Sequence, residues 1–220
     1  MVVTEDLGKI FEKAICILYK IEYGGNYKYS IDQANQLAER LLKLKDLVPY
    51  NLLHIAKNGN KYDFHIIENN TYLSAKTSKK NGKVSPQVIG QPSKQTFCEY
   101  FKLDLNITLD QIKDHIQINN KYLLKEYSVN TFNCPIIYYN KHKNNLLYIC
   151  LIKEIDWDQY NIVFSHIIKN KKWNESTTIS INNKSIGEYQ IHKHRNCIKF
   201  RWSFENVLTI FKDYFNIIAL

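Results

Sequence analysis

Apolar residues recur at helical spacing over the first fifty positions and at alternating spacing over much of the remaining chain. Leu7, Ile10, Phe11, Ala14, Ile15 and Leu18 fall at i, i+3 and i+4, the signature of one buried helix face. Thr4 is placed as an N-cap and Gly24-Gly25 as the stop. Ser30 opens a second helix carrying Ile31, Ala34, Ala38, Leu41 and Leu42. From Lys61 the period drops to two. Tyr62, Phe64 and Ile66 alternate with Asp63, His65 and Ile67, then Thr71, Leu73 and Ala75 alternate with Tyr72, Ser74 and Lys76. Glu68-Asn69-Asn70 lies between, and asparagine tolerates the left-handed backbone of a tight turn, so a hairpin is predicted.

Further on, the pattern predicts a third strand over 84–90 and a helix capped by Ser93 and running to Phe101. Helices at 108–118 and 121–127 are succeeded by strands at 135–139, 146–152 and 162–168. Shorter strands are expected at 177–181, 189–192 and 198–201, with a closing helix over 203–216. Helices first, then strands and helices mixed, predict an α/β (α+β) fold with a central mixed sheet flanked by helices. No repeat or linker divides the chain. A single domain over 1–220 is expected, with a core over about 1–103 and a sheet-completing elaboration over about 104–220.

Composition narrows the class. With 45% hydrophobic and 23% charged residues the chain can bury a core, and 7 Gly and 4 Pro exclude collagen-like and low-complexity classes. The longest apolar runs, 14–19 and 146–152, fall far short of the ~20 residues that span a bilayer. Met1-Val-Val-Thr-Glu-Asp has neither the basic nor the apolar region of a signal peptide. These features predict a soluble, cytoplasmic protein with no membrane partner. Cys16, Cys98, Cys134, Cys150 and Cys197 are odd in number and lack C-x-x-C spacing, so reduced core cysteines are expected instead of disulfides or a structural zinc. A net charge of +9 favours a polyanionic partner, nucleic acid foremost.

The sharpest chemical signal is the predicted hairpin. With Asn69-Asn70 as its two central residues, Asp63 opposes Lys76 and His65 opposes Ser74. All four then share one face, with opposed Cβ atoms about 4.5–5.5 Å apart. By geometry alone this is either an edge hairpin with a cross-strand ion pair or a catalytic patch. The early helix with Leu7-Gly8 and Phe11-Glu12, the Asp at a strand start and the strand ending in Ala75-Lys76 resemble the PD-(D/E)xK nuclease superfamily. The segment Val84-Ser-Pro-Gln-Val-Ile-Gly-Gln91 and the basic tail resemble, more narrowly, a type II restriction endonuclease.

The resemblance covers roughly residues 5–99, and it implies a Mg²⁺-dependent, sequence-specific cleavage of double-stranded DNA to 5′-phosphate and 3′-hydroxyl ends. It implies Asp63 as metal anchor, the Ala75 carbonyl as second ligand and Lys76 as the group orienting the attacking water. Tyr62 stands where the family usually has Pro, and Ser74 stands where its second acid is expected. That acid is then sought on a helix: Glu99, which comes soon after the strand, is preferred as the third metal ligand over Glu12 on the first helix, with Glu68 at the turn a weaker third candidate. A homodimer on a palindromic site is implied as well. The rival readings are a non-catalytic nucleic-acid-binding protein and a repair or RNA-processing nuclease on the same core.

DNA contacts are expected from Lys79, Lys80 and Lys83, from Gln87 and Gln91 around a helix start, and from the tail. In the tail, His192, His194, Arg195 and Asn196 read as a turn, succeeded by Lys199 and Arg201 on the face opposite Ile198, Phe200 and Trp202. Arg and Asn are the side chains that read guanine and adenine edges. The i, i+2 pair His192 and His194 has no acidic or cysteine neighbour in sequence, which argues against a metal there.

Overall fold

The computed structural model describes residues 4–56, 60–80 and 82–220, without the side chains of 4 and 5. The N-cap expected at Thr4 therefore lies outside the described side chains. Helices α1 (Thr4–Tyr19), α2 (Ile31–Arg40) and α3 (Leu44–Leu47) precede strands β1 (Leu52–His54), β2 (Phe64–Ile66) and β3 (Thr71–Ser78). Strand β4 (Lys83–Val84) leads to helices α4 (Lys94–Phe101), α5 (Leu109–Ile118) and α6 (Asn120–Phe132). Then come β5 (Ile136–Asn140), β6 (Asn145–Leu151), β7 (Val163–Phe164), α7 (Ser165–Ile168), β8 (Ser176–Ile181), β9 (Lys184–Ile191) and β10 (Ile198–Ser203). Helix α8 (Phe204–Ile210) and strand β11 (Phe215–Ala219) close the chain.

The chain forms two compact units, one of residues 1–82, 134–152 and 215–220, the other of 83–133 and 153–214. The division expected near residue 103 falls inside the second unit. β5, β6 and β11 return to the sheet of the first, so neither unit is continuous in sequence.

The first unit is a mixed sheet in the order β1-β2-β3-β5-β6-β11, with β3 and β5 parallel and every other pair antiparallel. Leu7, Ile10, Phe11, Ala14, Ile15 and Leu18 of α1 are all buried in one cluster with Phe64 and Leu73 of the sheet, as their spacing requires. Lys20, at φ 55, ends α1, and Ile21 N closes back on Cys16 O at 3.0 Å. Gly24-Gly25 lies beyond that stop. In place of the expected closing helix over 203–216, α8 ends at Ile210 and 215–219 pair with β6.

The second unit is an antiparallel sheet in the order β4-β10-β9-β8-β7, with α6 bearing buried Leu123, Leu124 and Tyr127. Ile198, Phe200 and Trp202 are buried, and Tyr127 stacks on Phe200 with ring centroids 4.3 Å apart. Trp202 Nε1 donates to Thr131 Oγ1 at 2.8 Å, satisfying a buried indole. The third strand expected over 84–90 is only two residues long. The backbone then turns, and the carbonyls of Gly90 and Pro92 accept from Phe200 N and Ile198 N. A Cβ on Gly90 would collide with the Pro86 carbonyl oxygen, so only glycine fits that turn. All five cysteines are free, and burial pushes the Cys16 thiol up to about 12. No helix among the described residues is long and apolar enough to cross a membrane.

Candidate active site

In the first unit the β2–β3 ladder stops one residue short of Asp63. Phe64 pairs with Leu73, His65 with Tyr72 and Ile66 with Thr71. The predicted register, Asp63 opposite Lys76, is therefore displaced by two residues: Ile67–Asn70 make a four-residue turn, with Asn70 at φ 53 and the Asn69 carboxamide oxygen accepting from Thr71 N. An even displacement leaves the paired side chains of β2 and β3 on their predicted faces, while Asp63 lies in a bend just before β2. The edge-hairpin reading is corrected too. β3 pairs with β2 on one side and with β5 on the other, so it is a central strand.

Where β2 and β3 part, side-chain chemistry replaces the ladder. Asp63 O accepts from Ile55 N at 2.9 Å, continuing the β1 side. Asp63 Oδ2 takes the Ala75 N–H at 2.7 Å and lies 3.6 Å from Lys76 Nζ. The carboxylate thus occupies the gap in the plane of the sheet where a strand partner would have been. Alternation along a strand sends the N–H and C=O of one residue to the same edge. Ser74 N donates to Pro135 O on the β5 side, so Ala75 directs both groups toward Asp63. Carboxylate and carbonyl oxygens at one edge are hard donors of the kind Mg²⁺ takes.

Ser74 offers no acid. It is fully buried, and its hydroxyl meets Cys134 Sγ at 3.6 Å. Burial raises the Cys134 thiol to about 11, so it stays protonated near neutrality. Glu68 is committed at the turn, accepting from Asn51 N and Nδ2 at 2.8 and 2.6 Å, with those bonds holding its carboxyl below the usual value. Glu12 is buried on α1. His54 Nδ1 accepts from Gly24 N at 2.8 Å, which leaves the Nε2 proton to be donated to Glu12 Oε2 at 3.2 Å. Lys9 Nζ lies 3.1 Å from the same oxygen. His54 is paired with Phe64, the residue after Asp63, so Glu12 is bonded to the strand that adjoins Asp63. Glu99 belongs to the other unit, exposed on α4 and bonded to Gln95 Nε2 at 2.8 Å.

The expected DNA-contact residues divide between the units. Lys79 and Lys80 come after β3 in the first unit, Lys80 exposed. Lys83, half-buried, donates to Ser203 Oγ at 2.9 Å and lies 3.5 Å from Glu188. Gln87 is buried, and Gln91 is exposed with its amide 4.0 Å from Cys197 Sγ. Lys199 and Arg201 share the sheet face opposite the buried aromatics, and Arg201 Nη2 reaches Glu188 at 3.2 Å. Arg195 and Asn196 stand exposed in the turn after β9.

Burial would raise the Glu188 carboxyl, but Arg201, Gln190 and Lys83 outweigh it and hold the group below its ordinary value. A carboxyl depressed in the fold stabilises it above the unfolded value of about 4.3, and that contribution disappears as pH falls through the folded value. Thermal melting on acidification below about pH 4.3 is therefore expected to fall more steeply for the wild type than for Glu188→Gln. Parallel curves would mean that the pair contributes nothing.

The chain is similar to a restriction enzyme. It is 47% identical over 221 aligned residues, its whole length, to the type II restriction enzyme CviAII of Paramecium bursaria Chlorella virus 1, and spans 64% of that relative's length. No protein-family model and no solved structure matches it. Two residues with candidate roles escape the sequence pattern. His54 is one, though the alternation of buried Leu52, exposed Leu53 and buried His54 marks an inward imidazole. Glu175 is the other. The fold sets it beside His192, 17 residues away in sequence.

Proposed function

We propose that this chain is a type II restriction endonuclease, hydrolysing double-stranded DNA at specific sequences with Mg²⁺ to leave 5′-phosphate and 3′-hydroxyl ends. The single observation that carries the reading is the fork between β2 and β3. One carboxylate there bridges the Ala75 N–H and the Lys76 ammonium, and the similarity to CviAII lends it weight. Asp63 and the Ala75 carbonyl would hold the metal, with Glu12 as the second acid in preference to Glu99, because Glu12 is bonded through His54 to the strand beside Asp63. When bound, the metal supplies a more acidic water and neutralises charge on the scissile phosphate.

The chain's own part is positional. Asp63 fixes the Lys76 ammonium at the fork, and the ammonium orients the attacking water and stabilises charge developing on the phosphoryl oxygens. The Ser74 hydroxyl supplies packing under the fork. Lys79 and Lys80 contribute phosphate contacts, while Gln91, Arg195, Asn196, Lys199 and Arg201 read bases or hold the residues that do. Lys83, Gln87 and His192 support that surface from partly or fully buried positions, and His194 flanks it. A homodimer matches a two-fold site by symmetry, and a cytoplasmic location fits an enzyme acting on DNA.

Plasmid digestion with Mg²⁺, with and without EDTA, tests the reading. Discrete fragments that vanish with EDTA are expected. A smear would indicate a nuclease without strict sequence preference, as in repair or RNA processing. Binding without cleavage would indicate a non-catalytic nucleic-acid-binding protein.

A further inference from the structure

Beyond the nuclease fork, in the second unit, the strand ladder assembles a set of nitrogen and oxygen donors. Glu175 immediately precedes β8 and His192 comes directly after β9, at the open end of that hairpin. Ile191 N donates to Glu175 O at 2.7 Å, so strand pairing itself sets Glu175 against the end of β9. His192 Nδ1 then lies 2.9 Å from Glu175 Oε2. His194 sits in a tight turn closed by Arg195 N on His192 O at 3.1 Å, with its ring 5.3 Å from that of His192. One ligand atom from each of the three residues lies within 4.8 Å of the others.

We propose that Glu175, His192 and His194 form a binding site for a divalent ion of the zinc class. Two imidazoles and a carboxylate suit Zn²⁺ or Co²⁺, whereas Mg²⁺ prefers an all-oxygen set. Tetrahedral ligand atoms at zinc bond lengths stand about 3.4 Å apart. The separations of at most 4.8 Å therefore need only a small adjustment, and the exposed His194 is free to make it. Two ligands are placed by the β8–β9 ladder and the third by a closed turn, so little order has to be created on binding. Three protein ligands leave a position for water. Occupancy would fasten the turn carrying Arg195 and Asn196 to the residue before β8. Spacing along the tail misses this donor set because the acidic partner comes from the neighbouring strand and not from the same segment.

The test is a Co²⁺ titration of the EDTA-stripped, dialysed 220-residue protein in excess Mg²⁺, read by visible d–d absorption. Wild type is expected to bind stoichiometrically with the spectrum of nitrogen–oxygen tetrahedral coordination. His194→Ala, an exposed position whose fold is checked by circular dichroism, is expected to bind at least about tenfold more weakly, since loss of even an outer-shell partner costs about 10–100-fold. Glu175→Gln should behave likewise. Asp63→Asn should bind Co²⁺ as wild type does, which separates this site from the nuclease fork. Absence of d–d absorption in the wild type, or equal binding by His194→Ala, overturns the proposal and leaves a plain His192–Glu175 ion pair.

Discussion

Asp63→Asn is expected to retain the fold and lose cleavage by about 10³-fold or more, while Asp63→Ala loses cleavage and stability together. The difference comes from the two tasks of the carboxylate. Its Oδ2 satisfies the Ala75 N–H at 2.7 Å where the β2–β3 ladder has ended. An amide oxygen can still accept that hydrogen bond, so asparagine keeps the fork closed. Alanine leaves a backbone N–H without its partner, a cost of about 1–3 kcal/mol. Neither substitute carries the negative charge that would anchor a hard divalent ion at the proposed site and that faces the Lys76 ammonium 3.6 Å away. Lys76→Met should lower cleavage by about 10²–10³-fold, the usual loss when one preorganised stabilising group is removed. DNA binding in EDTA, measured by gel shift, should survive in Asp63→Asn and tighten slightly, because a negative charge near phosphate has gone. Cleavage by Asp63→Asn at near wild-type rate would remove the fork from the chemistry.

The fork is legible in the sequence because its information is a period of two. Alternation assigns Asp63, Ser74 and Lys76 to one set of positions, and that assignment survives any even slip of register. The turn is not legible to the residue. Asn69-Asn70 suits a two-residue loop, but tertiary bonds to neighbouring backbone, Glu68 onto Asn51 among them, favour the four-residue one. The α1 stripe is legible down to each buried residue, since a long amphipathic helix fixes its own face. Short elements are another matter. β1 has three residues and β11 pairs only at the sheet edge, so each depends on a partner distant in sequence. The same limit leaves the choice between Glu12 and Glu99 open. A helix residue is brought to a strand by packing, and no spacing rule relates either of them to Asp63.

Glu12 and His54 are the pair on which that packing can be tested. Glu12→Ala is expected to destabilise the protein by about 2–3 kcal/mol, because it strands the buried Nε2–H of His54, whose other nitrogen is already taken by Gly24. Glu12→Gln keeps an oxygen for that proton and should stay within about 1 kcal/mol of wild type in urea unfolding. The two substitutions therefore separate structure from charge. If Glu12 is the second acid, the stable Gln variant should lose Mg²⁺-dependent cleavage by about 10²-fold or more, with the loss partly recovered at higher Mg²⁺ because a weakened site fills by mass action. Glu99→Gln, at an exposed position where the carboxylate meets Gln95, should unfold like wild type and cut with a smaller loss. A Glu12→Gln variant that folds and cuts normally would confine Glu12 to holding His54, and Glu99 would then be the next acid to test.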